Sequence, residues 1–157
     1  MKNLLGEHFM QVAITQARKG IRNGENPFGA CISKNGKIIS RTHDFANSKK
    51  DVAAHAETEA VKLACDNLKT TDLSGCVLYA TCEPCPLCFT VIHLARIKKV
   101  VFGMSVKYGR KLGYLKDSVP SIHIKKLLSS PVKITGNVLK EDSIALIRLW
   151  ERINKKN

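Results

Sequence analysis

The chain has 157 residues, of which 44% are hydrophobic and 25% are charged, a composition typical of a globular protein. This length suits one buried core, and we expect residues 1–157 to form a single domain. No apolar stretch approaches the roughly 20 residues that span a bilayer, and the N-terminal segment is too polar for a secretory signal. These features argue against a membrane protein, and six cysteines without a secretion signal predict reduced thiols in the cytoplasm.

Positive charge is concentrated in the C-terminal part of the chain. The formal net charge is +13, and residues 96–157 carry 15 Lys and Arg against 4 Asp and Glu. Residues 1–95 are nearly balanced, with 11 basic and 9 acidic side chains. Such asymmetry is typical of a surface that binds a polyanion. A lysine-rich solvated surface on a protein with a small ligand would give the same counts, because charge alone carries no sequence-specific information.

The first half of the chain predicts two helices that flank a β-hairpin. The predicted elements are a helix over residues 5–19, strands over residues 28–34 and 37–41, and a helix over residues 53–68. Apolar residues recur at helical spacing in both helices. Asn35-Gly36, between the two strands, tolerates the positive φ angles of a two-residue type I′ turn.

The second half predicts two buried strands that alternate with helices. The predicted elements are a strand over residues 76–81, a helix over residues 84–96, a strand over residues 99–103, a weaker strand over residues 133–138 and a helix over residues 141–154. Residues 104–120 are expected to form a glycine- and lysine-rich connection, and residues 120–132 show no decisive pattern. The order of helices and strands predicts a three-layer α/β domain, with helices on both sides of a sheet.

Two motifs carry the residue types of a hydrolytic metal site. His55-Ala56-Glu57 supplies an imidazole and a carboxylate, and Cys82-Glu83-Pro84-Cys85-Pro86-Leu87-Cys88 supplies three thiols. Zn²⁺ binds nitrogen and sulfur ligands tetrahedrally, and three protein ligands leave a fourth position for water. Glu57 can then move protons between that water and a substrate. The sequence therefore predicts a catalytic zinc site.

The sequence alone leaves the choice of thiol ligands open. Cys82, Cys85 and Cys88 are evenly spaced, so any two of them, or all three, can serve as ligands. All three together with His55 would complete a closed structural site and leave no position for water. We favour Cys85 and Cys88, because Cys82 ends a predicted strand and Pro84 turns the chain. Both favoured cysteines lie on one helical face near a helix N-terminus, where the helix dipole favours thiolates.

Three segments together resemble the cytidine deaminase-like superfamily, and most closely its guanine deaminase and nucleoside deaminase branch. They are Asn26-Pro27-Phe28-Gly29-Ala30, Ala54-His55-Ala56-Glu57 and the cysteine motif of residues 82–88. The H-x-E…P-C-x-x-C arrangement is a signature of zinc-dependent nucleobase deaminases. The resemblance implies a mixed five-stranded sheet flanked by helices, and a homodimer or larger assembly.

The resemblance also implies roles for individual residues. His55, Cys85 and Cys88 are expected to bind Zn²⁺, and Glu57 is expected to act as the proton shuttle. Phe28 is a candidate base-stacking residue, since similar enzymes have this motif beside the pocket. An apolar strand residue in the core is the alternative interpretation of Phe28.

Asp44 departs from the pattern of similar deaminases, which usually have Asn eleven residues before the ligand histidine. Asparagine both donates and accepts hydrogen bonds, whereas ionised aspartate only accepts, so Asp44 favours a substrate edge that presents N–H groups. Burial that keeps the acid protonated would remove this preference. In the alternative, Asp44 only caps the loop and Asn47 contacts the substrate. Guanine deaminases also commonly use an acidic residue after the fourth strand, near which this chain has Lys116 and Asp117.

We therefore predict a zinc-dependent hydrolytic deamination of a purine-like nucleobase or nucleoside, with a guanine-like substrate among the candidates. Zinc-activated water would attack an electrophilic ring carbon, Glu57 would transfer protons, and ammonia would leave. The first alternative is a tRNA adenosine-to-inosine deaminase, which the basic C-terminal region favours. The second is a noncatalytic zinc-stabilised nucleic-acid-binding module. The expected partner is thus a small nucleobase or nucleoside, with tRNA as the alternative.

Overall fold

The computed structural model describes residues 4–154, in which one five-stranded sheet lies between two layers of helices. The strands are β1 (Gly29–Lys34), β2 (Lys37–His43), β3 (Cys76–Cys82), β4 (Lys99–Met104) and β5 (Lys133–Thr135). The helices are α1 (Leu4–Arg22), α2 (Ala46–Lys49), α3 (Ala56–Leu68), α4 (Pro86–Leu94), α5 (Val106–Lys111), α6 (Ser121–Leu127) and α7 (Lys140–Asn154). None of the helices between residues 4 and 154 combines the length and apolarity that crossing a membrane requires.

The sheet is mixed, with the strand order β2-β1-β3-β4-β5. β1 pairs antiparallel with both β2 and β3, whereas β3 with β4 and β4 with β5 are parallel pairs. Asn35 and Gly36 have φ angles of 50° and 74°, as a type I′ turn requires, so the predicted hairpin is confirmed. Because β3 and β4 are parallel, both end at the same edge of the sheet, where the chain continues towards α4 and α5.

Each face of the sheet is covered by helices and has its own apolar core. Successive strand residues point to opposite faces: Leu78 of β3 packs in one core and Tyr79 in the other. The first core includes Ala60 of α3 and Phe89 of α4, and the second includes Phe9 of α1 together with residues of α7. The predicted three-layer α/β/α architecture and the mixed five-stranded sheet are therefore confirmed.

Three short helices lie where the sequence predicted a loop or showed no decisive pattern. α2 lies between the predicted hairpin and the predicted helix over residues 53–68, and α5 lies in the predicted connection of residues 104–120. α6 lies within residues 120–132, for which the sequence showed no decisive pattern. Helices this short contain too few turns to show apolar periodicity, and contacts with distant residues fix their ends. For example, the two carboxylate oxygens of Glu25 accept hydrogen bonds from the backbone N–H groups of Asn47 and Ser48 at 3.0 and 3.1 Å. The predicted last strand is also shorter than expected and ends at Thr135.

α1 crosses β1 so closely at Gly29 that a Cβ atom there would lie 2.1 Å from the backbone oxygen of Ala13. Only glycine fits such a close approach of two backbones. The Gly29 N–H also donates to Oγ1 of Thr81 in β3 at 3.1 Å. These contacts fix the start of β1, and with it the position of the preceding residue, Phe28.

Candidate metal and substrate site

Two helix N-termini meet near the edge of the sheet where β3 ends. His55 is the N-cap residue of α3 and Cys85 is the N-cap residue of α4, both with extended backbone angles. Pro86 occupies the first turn of α4, where a missing N–H removes no helical hydrogen bond. Cys88 follows Cys85 by three residues, so both thiols lie on one helical face.

The His55 imidazole and the thiols of Cys85 and Cys88 form a compact cluster. His55 Nδ1 lies 3.6 Å from Cys85 Sγ and 3.3 Å from Cys88 Sγ, and the two sulfurs are 3.5 Å apart. Tetrahedral zinc bonds of about 2.3 Å to sulfur and about 2.0 Å to nitrogen separate neighbouring ligand atoms by roughly 3.5–3.8 Å. Both the donor set and its spacing therefore fit Zn²⁺.

Cys82 lies outside this cluster. Between residues 4 and 154, the cluster is the only set of three His, Cys, Asp or Glu residues whose ligand atoms all lie within 4.8 Å of one another. The Cys82 side chain packs instead with Met104 and Ile144. Burial raises the pKa of its thiol well above the usual value. The structure thus brings three candidate zinc ligands together, and Cys82 is not among them.

Glu57 lies beside the cluster, in the first turn of α3. Its Oε2 atom is 3.6 Å from Cys88 Sγ, and the residue is only 8% exposed. Burial, together with the negative charge of Cys85, raises the pKa of Glu57 to about 7. A carboxyl group in this range both accepts and donates a proton near neutral pH. A divalent cation held next to it would stabilise the carboxylate and lower that pKa.

The three ligand side chains are strongly coupled in their protonation. The hydrogen bond with Cys85 raises the pKa of His55 to about 9, and the hydrogen bonds with Cys88 and His55 lower the pKa of Cys85 to about 4. The hydrogen bond with Cys85, together with burial, raises the pKa of Cys88. Zn²⁺ requires a neutral imidazole and two thiolates, so metal binding would release protons from this cluster.

The cluster opens into a cavity of about 100 Å³. Its walls come from the segment before β1, the residue after β2, the two ligand motifs and the segment that follows α5. The lining residues are Asn26, Phe28, Asp44, His55, Glu57, Cys82, Glu83, Cys85, Leu115 and Ser118. Cavities for drug-sized ligands measure roughly 300–1,000 Å³, so this cavity suits only a small ligand or one base of a larger one.

Asp44 both lines the cavity and caps a turn. The residue is 1% exposed, and its Oδ1 atom accepts hydrogen bonds from Asn26 Nδ2 at 3.1 Å and from Ala46 N at 3.0 Å. Burial raises the pKa of this carboxyl, and the two hydrogen bonds partly oppose that effect. Asn47, the alternative substrate contact, donates to the Gly24 carbonyl at 2.9 Å and is not among the lining residues.

Phe28 fits both interpretations that the sequence allowed, because it lines the cavity and also packs against two apolar clusters. Asn26 donates a hydrogen bond to Asp44 and orients its carboxyl group. Leu115 and Ser118 were not predicted as cavity residues, because their segment lacks any periodic pattern. The only signal for them was the acidic residue that guanine deaminases have near this point, after the fourth strand.

Residues 5–104 match the family described as the cytidine and deoxycytidylate deaminase zinc-binding region. The chain belongs to this family. The predicted resemblance is therefore confirmed, and zinc is the metal that the family binds.

Members of this deaminase family with two different substrates are similar to the chain. The tRNA-specific adenosine deaminase of Aquifex aeolicus (strain VF5) is 45% identical over 148 residues, which cover 94% of this chain and 95% of the relative. The guanine deaminase of Bacillus subtilis (strain 168) is 41% identical over 97 residues, which cover 61% of this chain and 62% of the relative. A solved structure from a study of A-to-I editing by tRNA:A34 deaminases is 28% identical, with a TM-score of 0.75 over 88% of this chain and 98% of that one.

Substitution of single cysteines tests which thiols bind zinc in this protein. Cys82→Ser is expected to leave the zinc content close to that of the unchanged protein, because Cys82 lies outside the cluster. Cys85→Ser is expected to lose most of the zinc, because it removes a thiolate ligand. Metal analysis of both variants after dialysis against a weak chelator gives the comparison. Equal zinc loss in the two variants would make Cys82 a ligand and contradict the three-ligand site.

Proposed function

We propose that this chain is a zinc-dependent deaminase that converts adenosine to inosine in a transfer RNA, with residues 1–157 acting as one catalytic domain. The observation that carries the proposal is the buried Glu57 carboxylate beside a three-ligand cluster that opens into a base-sized cavity. The extent of similarity favours tRNA over a free base. The Aquifex adenosine deaminase matches 94% of the chain, whereas the guanine deaminase matches 61%.

The reaction adds water to C6 of adenine and expels ammonia, so that inosine forms. Zinc held by His55, Cys85 and Cys88 would supply a Lewis acid that lowers the pKa of water from 15.7 to about 7. Glu57 would accept one proton of the water and deliver it to ring nitrogen N1. It would then carry the second proton to the departing amine, so that the C6–N bond breaks with ammonia as the leaving group.

The remaining cavity residues would hold the base for this attack. The Phe28 ring is partly buried at the cavity wall, where stacking on a base contributes about 1–3 kcal/mol. Leu115 would exclude water from the cavity. Glu57 stays in place because it is part of the first turn of α3, whose N-cap residue is a metal ligand.

Glu57→Gln tests the proton shuttle, because glutamine has the same shape but cannot accept and release a proton. The variant is expected to bind zinc normally and to lose about 10²–10⁴-fold in kcat, the usual contribution of general acid–base catalysis. Glu59→Gln is the matched control, since Glu59 pairs with Lys49 and Lys62 and does not line the cavity. Inosine formation and metal content are measured on both. Undiminished turnover in Glu57→Gln would remove this residue from the mechanism.

Positive charge is concentrated in the segment that contributes Leu115 and Ser118 to the cavity lining. This basic rim consists of the exposed residues Lys107, Arg110, Lys111 and Lys116. The same segment, residues 105–120, contains one acidic residue, Asp117. Arg110 also donates a hydrogen bond to the Ser118 carbonyl, which ties the rim to the lining. The phosphates on either side of an adenosine in an RNA loop are the polyanion that such a rim suits.

Removal of the lysines from the basic rim tests the RNA interface. The triple variant Lys107→Gln, Lys111→Gln, Lys116→Gln is expected to bind a tRNA anticodon stem-loop more weakly. The plot of log affinity against log salt concentration has a negative slope, which should become less steep by about 2, since each single-strand phosphate contact contributes about 0.7. Fluorescence anisotropy over a salt series provides the measurement.

The control for that experiment removes the same charge at the opposite edge of the sheet. Lys37 lies at the hairpin turn, Lys69 follows α3, and Lys98 precedes β4, so their glutamine variants leave the basic rim intact. Zinc content should be normal in both triple variants. Equal changes in the salt slope would show that the basic rim does not contact the RNA.

A free guanine-like base is the second candidate substrate, and Asp44 favours it. The ring nitrogens N1, N3 and N7 of adenine only accept hydrogen bonds, whereas guanine presents donors at N1 and at its exocyclic amine. An ionised Asp44, whose Oδ1 already accepts two hydrogen bonds, offers a substrate only further acceptor capacity. If the substrate is an adenosine in RNA, the group that donates a hydrogen bond to Asp44 would be a ribose hydroxyl and not the base.

Asp44→Asn distinguishes these substrates. Asparagine can donate to a ring nitrogen of adenine, so the variant is expected to raise kcat/KM for adenosine relative to guanine by about tenfold, the effect of one matched hydrogen bond. Ammonia release from a stem-loop and from guanine gives the ratio. Asp51→Asn, which changes a turn residue outside the cavity lining, is the control. An unaltered ratio would assign Asp44 to the scaffold alone.

The homodimer expected from the resemblance stays a prediction. The neighbouring helices α4 and α6 carry exposed apolar side chains, chiefly Leu94 at 72% and Leu127 at 82% exposure. Exposed apolar surface on two neighbouring helices is typical of an interaction site, and a second copy of the chain would cover it.

A further inference from the structure

We propose that Glu83 is a positioning residue that fixes one wall of the substrate cavity relative to the metal cluster. The wall segment is Val106–Ser121, which contains α5, the basic rim residues, the two lining residues Leu115 and Ser118, and the first residue of α6. The kinetic part of this role rests on the proposed function, whereas the hydrogen bonds described next do not depend on a substrate.

Both carboxylate oxygens of Glu83 accept backbone hydrogen bonds from the wall segment. Oε2 accepts from Val106 N at 2.9 Å, and Oε1 accepts from Ser121 N at 2.7 Å. These are the first residues of α5 and α6, so one carboxylate holds both ends of the wall segment. Ser121 Oγ also donates to the carbonyl of Pro84, the residue after Glu83, at 2.8 Å.

Because Glu83 is buried, these two hydrogen bonds replace the water that its carboxylate would otherwise bind. The residue is 9% exposed, and a buried carboxylate is costly unless its oxygens are paired. The N–H groups at the start of a helix have no partner within that helix, so α5 and α6 supply the donors that the carboxylate needs. Hydrogen bonds to an ionised acceptor are about twice as strong as those between neutral groups.

Glu83 belongs to the metal motif as well as to the cavity. It precedes Cys85 by two residues, and its backbone N–H donates to the Met104 carbonyl at 2.8 Å, next to the last paired residues of β3 and β4. The backbone of Glu83 is therefore fixed by the sheet, and only its side chain reaches the wall segment. The Glu83 side chain thus connects the cysteine motif with the wall segment, beside the hydrogen bond from Ser121 Oγ to the Pro84 carbonyl.

Internal contacts brace the wall segment between its two ends. Leu115 has a φ angle of 56°, unusual for a residue other than glycine, and packs so closely on Gly109 that a Cβ atom there would lie 2.5 Å from Leu115 Cδ1. The Tyr114 ring, next to Leu115 in the chain, meets the Trp150 ring of α7 edge to face, with 6.3 Å between centroids. Glu83 supplies the matching contact on the side of the metal cluster. A change at Glu83 should therefore displace Leu115 and Ser118 together.

Glu83→Gln is the decisive variant, because it keeps the side-chain size and one acceptor but replaces the second acceptor with a donor. We expect normal zinc content, a KM for the tRNA stem-loop that rises about tenfold and a kcat that stays within about threefold, since one charge-assisted hydrogen bond is lost. Glu83→Asp retains both acceptors on a shorter stem and should recover part of the KM change. A purely destabilising substitution would instead reduce the fraction of active protein, which lowers the apparent kcat and leaves KM unchanged. Glu59→Gln is again the control, with both constants expected at their normal values.

Hydrogen exchange on the zinc-loaded protein gives a measurement that needs no substrate. In Glu83→Gln, the backbone amides of residues 106–121 are expected to exchange at least about tenfold faster, whereas those of β1 and α1 should keep their rates. Unchanged exchange in residues 106–121, or zinc loss comparable with that of Cys85→Ser, would overturn the positioning role. If the unchanged protein deaminated neither the stem-loop nor any free base, the proposed function would fail, while the exchange rates would still decide the role of Glu83.

Discussion

The metal site depends on one constraint, the meeting of two helix N-termini beside the end of β3. His55 caps α3 and Cys85 caps α4, and both helices pack on the same face of the sheet. The apolar core beneath them therefore sets the distance between the imidazole and the thiols. Helix N-termini also carry partial positive charge, which favours the thiolates and the Glu57 carboxylate. The packing of α3 and α4 thus brings the ligand side chains together, and the helix N-termini favour the ionised thiolates that a metal requires.

Sequence reasoning reached the metal cluster because most of its geometry is local. His55 and Glu57 are separated by one residue, Cys85 and Cys88 by one helical turn, and both pairs lie at the start of a predicted helix. The hairpin and the long helices were predicted for the same reason, since turn chemistry and periodicity operate over short distances. Equal spacing could not separate Cys82 from Cys85 and Cys88. That distinction required the direction in which the chain leaves β3.

The substrate side of the cavity was harder to predict, because contacts between distant residues form it. Asp44 was found from its spacing to His55, but its paired Oδ1 atom depends on Asn26, 18 residues earlier. The hydrogen bonds that place the wall segment join residues 23 and 38 positions apart. The substrate was therefore predicted less closely than the metal cluster. The main hypothesis was a purine-like base or nucleoside, whereas similarity over nearly the whole chain favours the tRNA alternative.

Glu83 holds the wall segment through main-chain N–H groups and not through the side chains of that segment. Almost any amino acid other than proline supplies the same donor at these two points. Substitutions elsewhere in the wall segment that preserve its internal packing would therefore leave this attachment intact. A scaffold of this kind can acquire a new substrate preference through changes in the wall segment, while the metal-binding motifs stay the same.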